Sequence, residues 1–202
     1  MTNFIFAPSP NFGVSEHPFA TWNNAFSEEE IQNIINSGEK RNPTSAFLDK
    51  GDENTSIRNS RTSWLNFSSD TAWLYEKLAY IARQLNGQFY KFDLYGFSED
   101  MQYTVYDGSF EKSGHYTWHQ DSGVGLNTDL PPRKLTMVVQ LSGPDEYEGG
   151  DLQIMTGPKE ETVEKCKGRV VIFPSYHMHR VTDVISGTRR SLVVWITGPA
   201  FR

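Results

Sequence analysis

The feature that most constrains the fold is a change of period near Phe89. Upstream of it, apolar residues recur at helical spacing; downstream they alternate in short runs broken by Gly, Pro and Asp. Ser27-Glu-Glu-Glu30 has the form of a capping box, and Ile31, Ile34 and Ile35 follow it as an apolar stripe. A helix therefore starts here and is expected to stop near Gly38. A second helix, capped by Ser69 or Asp70, carries Trp73, Leu74, Leu78, Ile81 and Leu85 on its buried side and ends at Asn86-Gly87. Residues 39–62 are polar and read as a long loop. Strand-like runs are expected at 90–97, 101–106, 115–121, 134–141, 151–155, 169–173, 178–184 and 190–197. Helices followed by this many strands predict a mainly β fold with flanking helices: a double-stranded β-helix (jelly roll) with the N-terminal helices packed on the major sheet.

With 202 residues the chain is long enough for one substantial core, and no repeat or second core interrupts it. The expected organisation is a single domain over 1–202, with an N-terminal arm at 1–23, helical support at 24–88 and the jelly-roll core at 89–202. A net charge of −6, with no run of Lys or Arg, opposes a grip on phosphate backbones, so nucleic acid is not the expected partner. No segment has the length and apolarity of a membrane span, and the N-terminus lacks the basic start of a secretory leader. Cys166 is the only cysteine, which excludes an intrachain disulfide and a thiolate zinc cluster. A reducing cytoplasm is the expected compartment, and Cys166, in the turn 164–168, is expected to be an exposed bystander.

The chemistry concentrates in Tyr116-Thr-Trp-His-Gln-Asp121. On a strand, His119 and Asp121 share one face, because side chains alternate with period two. A distant histidine would complete two imidazoles and one carboxylate, the set that holds Fe(II) on one face and leaves the other open. His179 and His177 compete for that role, being two residues apart. Arg189, ten residues beyond His179, has the donor geometry to clamp a co-substrate carboxylate in two hydrogen bonds. His17 and His115 carry no such context. Trp118, next to the ligand, is expected to face away from it into the core.

In order and spacing these residues resemble the Fe(II)/2-oxoglutarate-dependent dioxygenase superfamily, in its prolyl 4-hydroxylase-like branch. The resemblance rests on His119-Gln-Asp121, Gly149-Gly-Asp-Leu152, Phe173-Pro174, His179-Arg-Val181 and Gly187-Thr-Arg189, with Asn59-Ser-Arg-Thr-Ser63 similar to an upstream Arg-x-Ser segment. It runs over about residues 24–198 and is closest in character to the bacterial and viral prolyl-hydroxylase-type oxygenases. It implies iron on His119, Asp121 and His179, in preference to His177. It further implies the distal carboxylate of 2-oxoglutarate on Arg189, with Arg190 pointing to the opposite face. Tyr106 and Tyr116 take the place of pocket-lining aromatics. Gln140 stands where many relatives carry a tyrosine, which leaves open which group assists Arg189. The implied reaction is hydroxylation of a peptidyl proline using O2, with release of succinate and CO2 and with ascorbate as reductant. Other side chains, small molecules or nucleobases are the alternative substrates. A jelly roll that binds metal or sugar without catalysis is the non-enzymatic alternative. The loops 122–132 and 42–62 are candidates for controlling access.

Overall fold

The structure is a computed structural model that describes residues 18–46, 55–109, 113–122 and 130–200. Most of the arm at 1–23, the centre of the 42–62 stretch, most of the 122–132 loop, and His17 lie outside the described residues. The described elements, in chain order, are β1 (Ala20–Trp22), α1 (Glu28–Glu39), β2 (Thr44–Ser45), β3 (Arg58–Asn59), β4 (Arg61–Leu65) and α2 (Ala72–Leu85). There follow β5 (Met101–Asp107), β6 (His115–His119), β7 (Arg133–Gln140), β8 (Tyr147–Gly149), β9 (Leu152–Met155) and β10 (Glu160–Thr162). The chain closes with β11 (Val170–Pro174), β12 (His179–Val181) and β13 (Val184–Thr197).

Two antiparallel sheets face each other. The major sheet runs β1-β11-β7-β13-β5-β4-β2, with β8 paired to the start of β13; the minor sheet runs β10-β9-β12-β6-β3. Both helices cover the outer face of the major sheet. This is the expected double-stranded β-helix with its helices on the major sheet. No helix of the described residues is long and apolar enough to cross a membrane.

The major sheet is covered on both faces, and its two faces differ in kind. Met101, Tyr103 and Val105 of β5, Leu135, Met137 and Val139 of β7, and Leu192, Val194 and Ile196 of β13 pack under Ile31, Ile34, Leu74, Leu78 and Ile81 of the helices. Their strand alternates, which turn toward the minor sheet, include Gln102, Thr104, Thr136, Gln140, Arg189 and Ser191, all buried and all polar or charged. Burying so many polar groups is unfavourable unless each has a partner. That face is therefore built for chemistry, while the helix face supplies the core. A smaller apolar cluster of Val138, Leu152, Ile154, Val171 and Phe173 joins the sheets beside it.

α1 starts as expected: Ser27 Oγ accepts from Glu30 N at 3.2 Å while the Glu30 carboxylate accepts from Ser27 N at 2.8 Å. Several expectations need correction. The N-cap position of α2 is Thr71, not Ser69 or Asp70, and its side chain makes no capping bond to the helix; the hydroxyl is held between Asn66 O (2.7 Å) and Ser68 N (2.9 Å). The polar stretch read as a loop contributes β2, β3 and the start of β4, which pair with β4, β6 and β5 respectively, so ladder pairing and not apolar alternation makes them strands. The run 90–97 is not a strand. Asn86–Tyr90 extends α2 as a π-helical turn, Lys91 takes a left-handed φ of 54°, and the Asn86 side chain bonds both backbone groups of Phe92 (2.9 and 3.0 Å). Those backbone groups are then unavailable for a ladder. Trp118 is not core: it is half-buried on the outer face of the minor sheet, with the Arg180 guanidinium 4.6 Å from its ring. Cys166 is half-buried instead of exposed.

Candidate metal centre

β6 and β12 lie side by side in the minor sheet with His119 directly opposite His179, and their rings are 4.1 Å apart. Asp121 sits just past the end of β6. There its N–H and that of Ser122 both donate to Ser175 O, at 2.9 and 3.0 Å, which turns the carboxylate back toward the imidazoles. One ligand-capable atom from each of His119, Asp121 and His179 lies within 4.8 Å of the others. His177 is not in this group; its carbonyl instead receives His179 Nδ1 at 3.0 Å. His119 Nδ1 is bonded in the same way to Thr117 O at 2.8 Å. A carbonyl can only accept, so each Nδ1 carries the proton and each Nε2 presents its lone pair to the centre. Two such nitrogens and one carboxylate, with nothing else crowding in from the described residues, fit the donor set of a mononuclear Fe(II) site.

The electrostatics agree. Burial, with His179 close by, pushes His119 down to about 3, so it stays neutral. Burial would push the Asp121 carboxyl up, but the two imidazoles and the Thr136 hydroxyl outweigh it and hold the carboxyl well below the usual carboxylate range. Burial would likewise lower His179, yet Asp121 Oδ2, 3.3 Å from its Nε2, raises it. The site is a preformed notch in which an ionised carboxylate faces two imidazoles, that of His119 held neutral.

Arg189 lies on β13 opposite Tyr106 of β5, and its guanidinium is 5.3 Å from the Tyr106 ring. It is 3% exposed and donates to Ser191 Oγ at 3.3 Å. No carboxylate lies within ion-pair distance of it among the described residues. Arg190, its neighbour, points to the helix side and approaches Glu39 at 3.5 Å. Gln140 does not assist Arg189: its amide donates to Glu164 O at 3.0 Å. The group that touches Arg189 is Ser191, which sequence reasoning missed, although Arg-x-Ser on a strand puts both side chains on one face. Tyr116 stacks on His119 with centroids 3.5 Å apart, and the Arg58 guanidinium covers its other side at 4.7 Å. His115 is outside the centre, bonded to Ser113 O and 3.5 Å from Asp183.

Further residues complete the surroundings without any signal in the sequence. Thr136 donates to Asp121 Oδ2 at 2.8 Å and contacts Ser175 Oγ at 3.1 Å. Arg133 approaches the Asp121 carbonyl at 3.4 Å, forms a two-pronged pair with Glu99 and lies 3.8 Å from the Trp195 ring. Trp195 is paired in the ladder with Thr136, so it adjoins the ligand aspartate. The exposed Trp64 lies 6.1 Å from it. Two buried donors here, Trp195 Nε1 and Arg58 Nη2, have no hydrogen-bond partner among the described residues.

Comparison with known proteins gives a consistent picture. Residues 101–197 match the family model of the 2OG-Fe(II) oxygenase superfamily. A PKHD-type hydroxylase of Hyphomonas neptunium is 47% identical over 82 residues, covering 40% of this chain and 37% of that protein. One of Teredinibacter turnerae is 34% identical over 94 residues, covering 43% and 39%. The aligned part is thus about two fifths of the length of these relatives. Among solved structures, a Pseudomonas putida prolyl-4-hydroxylase superposes with a TM-score of 0.69 at 18% identity, over 91% of this chain and 94% of that one. A Trichoplax adhaerens prolyl hydroxylase in complex with a hypoxia inducible factor peptide gives 0.72 at 18%, over 90% and 84%. At such identities the likeness is one of fold.

Proposed function

We propose that this chain is a member of the 2OG-Fe(II) oxygenase superfamily and an Fe(II)- and 2-oxoglutarate-dependent dioxygenase that hydroxylates peptidyl proline. The observation that carries the reading is a pairing within one inter-sheet space. A preformed His119–Asp121–His179 donor set shares that space with a buried arginine that has no carboxylate partner among the described residues. A buried cation without a counter-ion is unfavourable, and a dicarboxylate co-substrate would supply one.

His119, Asp121 and His179 would hold the iron. When bound, Fe(II) supplies reduction of O2 coupled to oxidative decarboxylation of 2-oxoglutarate to succinate and CO2, with ascorbate as reductant. The protein's part is geometry. Arg189 and Ser191 bind the distal carboxylate and fix the direction of the co-substrate. Tyr106 walls the pocket beside them, and the apolar cluster between the sheets keeps water out. Tyr116 holds the His119 ring from rotating by stacking on it.

The prolyl reading draws support from one exposed aromatic: Trp64, 6.1 Å from the buried Trp195, offers a ring that suits a pyrrolidine. The hydroxylase names of the sequence relatives and the peptide complex among the structural neighbours favour the same class. A reducing cytoplasm remains the proposed compartment. The test measures succinate from 2-oxoglutarate with Fe(II) and ascorbate under air, with and without a proline-rich peptide, and with His179→Ala alongside. Turnover that rises with peptide, disappears in the variant and adds one oxygen to proline is expected. Turnover indifferent to the peptide would discard proline and keep the oxygenase.

A further inference from the structure

We infer that Ser175 and Thr136 form a directed hydroxyl relay that positions Asp121 and sets its strength and mode as a metal ligand. The inference rests on the metal-site reading above. The direction of the relay follows from counting protons. An ionised carboxylate only accepts, so the 2.8 Å contact is Thr136 Oγ1–H donating to Asp121 Oδ2. A hydroxyl has one hydrogen, and that of Thr136 is now used. The 3.1 Å contact between Thr136 Oγ1 and Ser175 Oγ is therefore Ser175 donating to Thr136. Each donor polarises the next, so the bond reaching the carboxylate is stronger than an isolated hydroxyl would make.

Both hydroxyls are 0% exposed, which removes water as a competing partner and keeps the order fixed. Ser175 grips the same ligand a second way, since its carbonyl accepts from the N–H groups of Asp121 and Ser122. Its own N–H is anchored to Lys134 O at 3.0 Å. The aspartate, alone among the three ligands, lies outside a minor-sheet strand, and it is fastened to the major sheet by Thr136 of β7 and by Ser175 just past β11. With Oδ2 engaged by Thr136 the carboxylate plane is fixed and one oxygen is left to act as a single-point ligand. Without that bond the carboxylate is free to rotate and offer both oxygens, which fills a position the co-substrate or O2 needs. Thr136 and Ser175 touch neither substrate nor metal, and are positioning residues.

The experiment titrates the apoprotein with Co(II), whose visible bands respond to coordination number, and compares wild type with Thr136→Val, Thr136→Ser, Ser175→Ala and His179→Ala. Thr136→Val keeps the shape and removes the donor. It is expected to weaken Co(II) binding by about ten- to a hundredfold, the usual effect of losing an outer-sphere partner, and to change the band pattern. Thr136→Ser restores both, and Ser175→Ala moves both in the same direction by less. A role confined to packing would leave the spectrum of the bound ion unchanged. Thr136→Ala takes the place of the valine variant if circular dichroism shows the latter misfolded. Wild-type affinity and spectrum in the hydroxyl-less variants would overturn the relay and leave the metal site standing. Wild type failing to bind, or His179→Ala binding equally well, would instead overturn the metal site itself, and the relay with it.

Discussion

Arg189 is a full positive charge at 3% exposure whose hydrogen bond goes to a neutral hydroxyl. A buried charge with no counter-ion among the described residues carries an unrepaid desolvation cost, which an apolar residue of similar volume removes. Arg189→Met is therefore expected to melt at or above the wild-type temperature when 2-oxoglutarate is absent, and to lose the stabilisation that 2-oxoglutarate gives the metal-loaded wild type. A charge-assisted pair is worth about 1.5–3 kcal/mol, so its dissociation constant for 2-oxoglutarate should rise by about ten- to a hundredfold. Ser191→Ala loses one neutral bond, about 1 kcal/mol, and should weaken binding about fivefold. Calorimetric titration of the Co(II)-loaded protein checks both. An arginine variant that binds 2-oxoglutarate like wild type would remove Arg189 from the site. At this scale the sequence carried the residues that alternation or spacing marks, such as His119 with Asp121 and Arg189 after His179. It carried no sign of Thr136 or Ser175, because what joins them to Asp121 is sheet register, and register is not written in local spacing.

Among elements, the contact between α1 and β5 is the most sharply defined. Gly38 reads in the sequence as a stop signal, yet it lies inside α1 and serves as a notch: a Cβ there would lie 2.3 Å from Tyr103 Cγ. Alanine normally gains about 0.5–1 kcal/mol over glycine in a helix. The Tyr103 ring is wholly buried, however, and cannot step aside, so overpacking of about 1–3 kcal/mol wins. Gly38→Ala should lower the urea midpoint, and Tyr103→Leu in the same chain should recover part of the loss. The Tyr103 phenol donates to Glu39 at 2.9 Å, and burial, with Glu39 beside it, pushes its pKa above the ordinary value. A raised folded-state pKa contributes stability that is complete below the unfolded value, about 10 for tyrosine, and is lost as pH rises above it. Urea midpoints should thus fall from pH 9 upward, and Tyr103→Phe should fall less steeply. Tyr90, raised for the same reason, keeps some slope in that variant. The capping box made α1 legible to the residue. The stretch after α2 was misread because apolar alternation in 90–97 serves a coil packed on the core: the Asn86 side chain occupies both backbone groups of Phe92, and pairing is limited to a single bridge between Gly96 and Thr197.

For the molecule as a whole, the site lies where the two sheets meet. His119 and His179 come from the minor sheet, Arg189 and Ser191 from the major sheet, and Asp121 bridges them through Thr136 and Ser175. The change of period gave away the class of fold, since both helices and most strands follow from local pattern. It could not give the order β1-β11-β7-β13-β5-β4-β2, because that order joins segments far apart in sequence, and the polar inner face became visible only once those strands were aligned. We propose that residues 1–202 unfold as one unit, and a ligand that ties both sheets together provides the test. Bound at a hundred times its dissociation constant, a divalent metal adds about 2.7 kcal/mol to the native state, which for a chain of this size is several degrees in melting temperature. Far-ultraviolet dichroism reports the strands and near-ultraviolet dichroism the buried aromatics of both layers. The expected result is that Co(II) moves both transitions together by the same amount in wild type and moves neither in His179→Ala. A shift in one signal alone would mean that the sheets separate before they unfold, and that the metal holds a local structure without stabilising the whole.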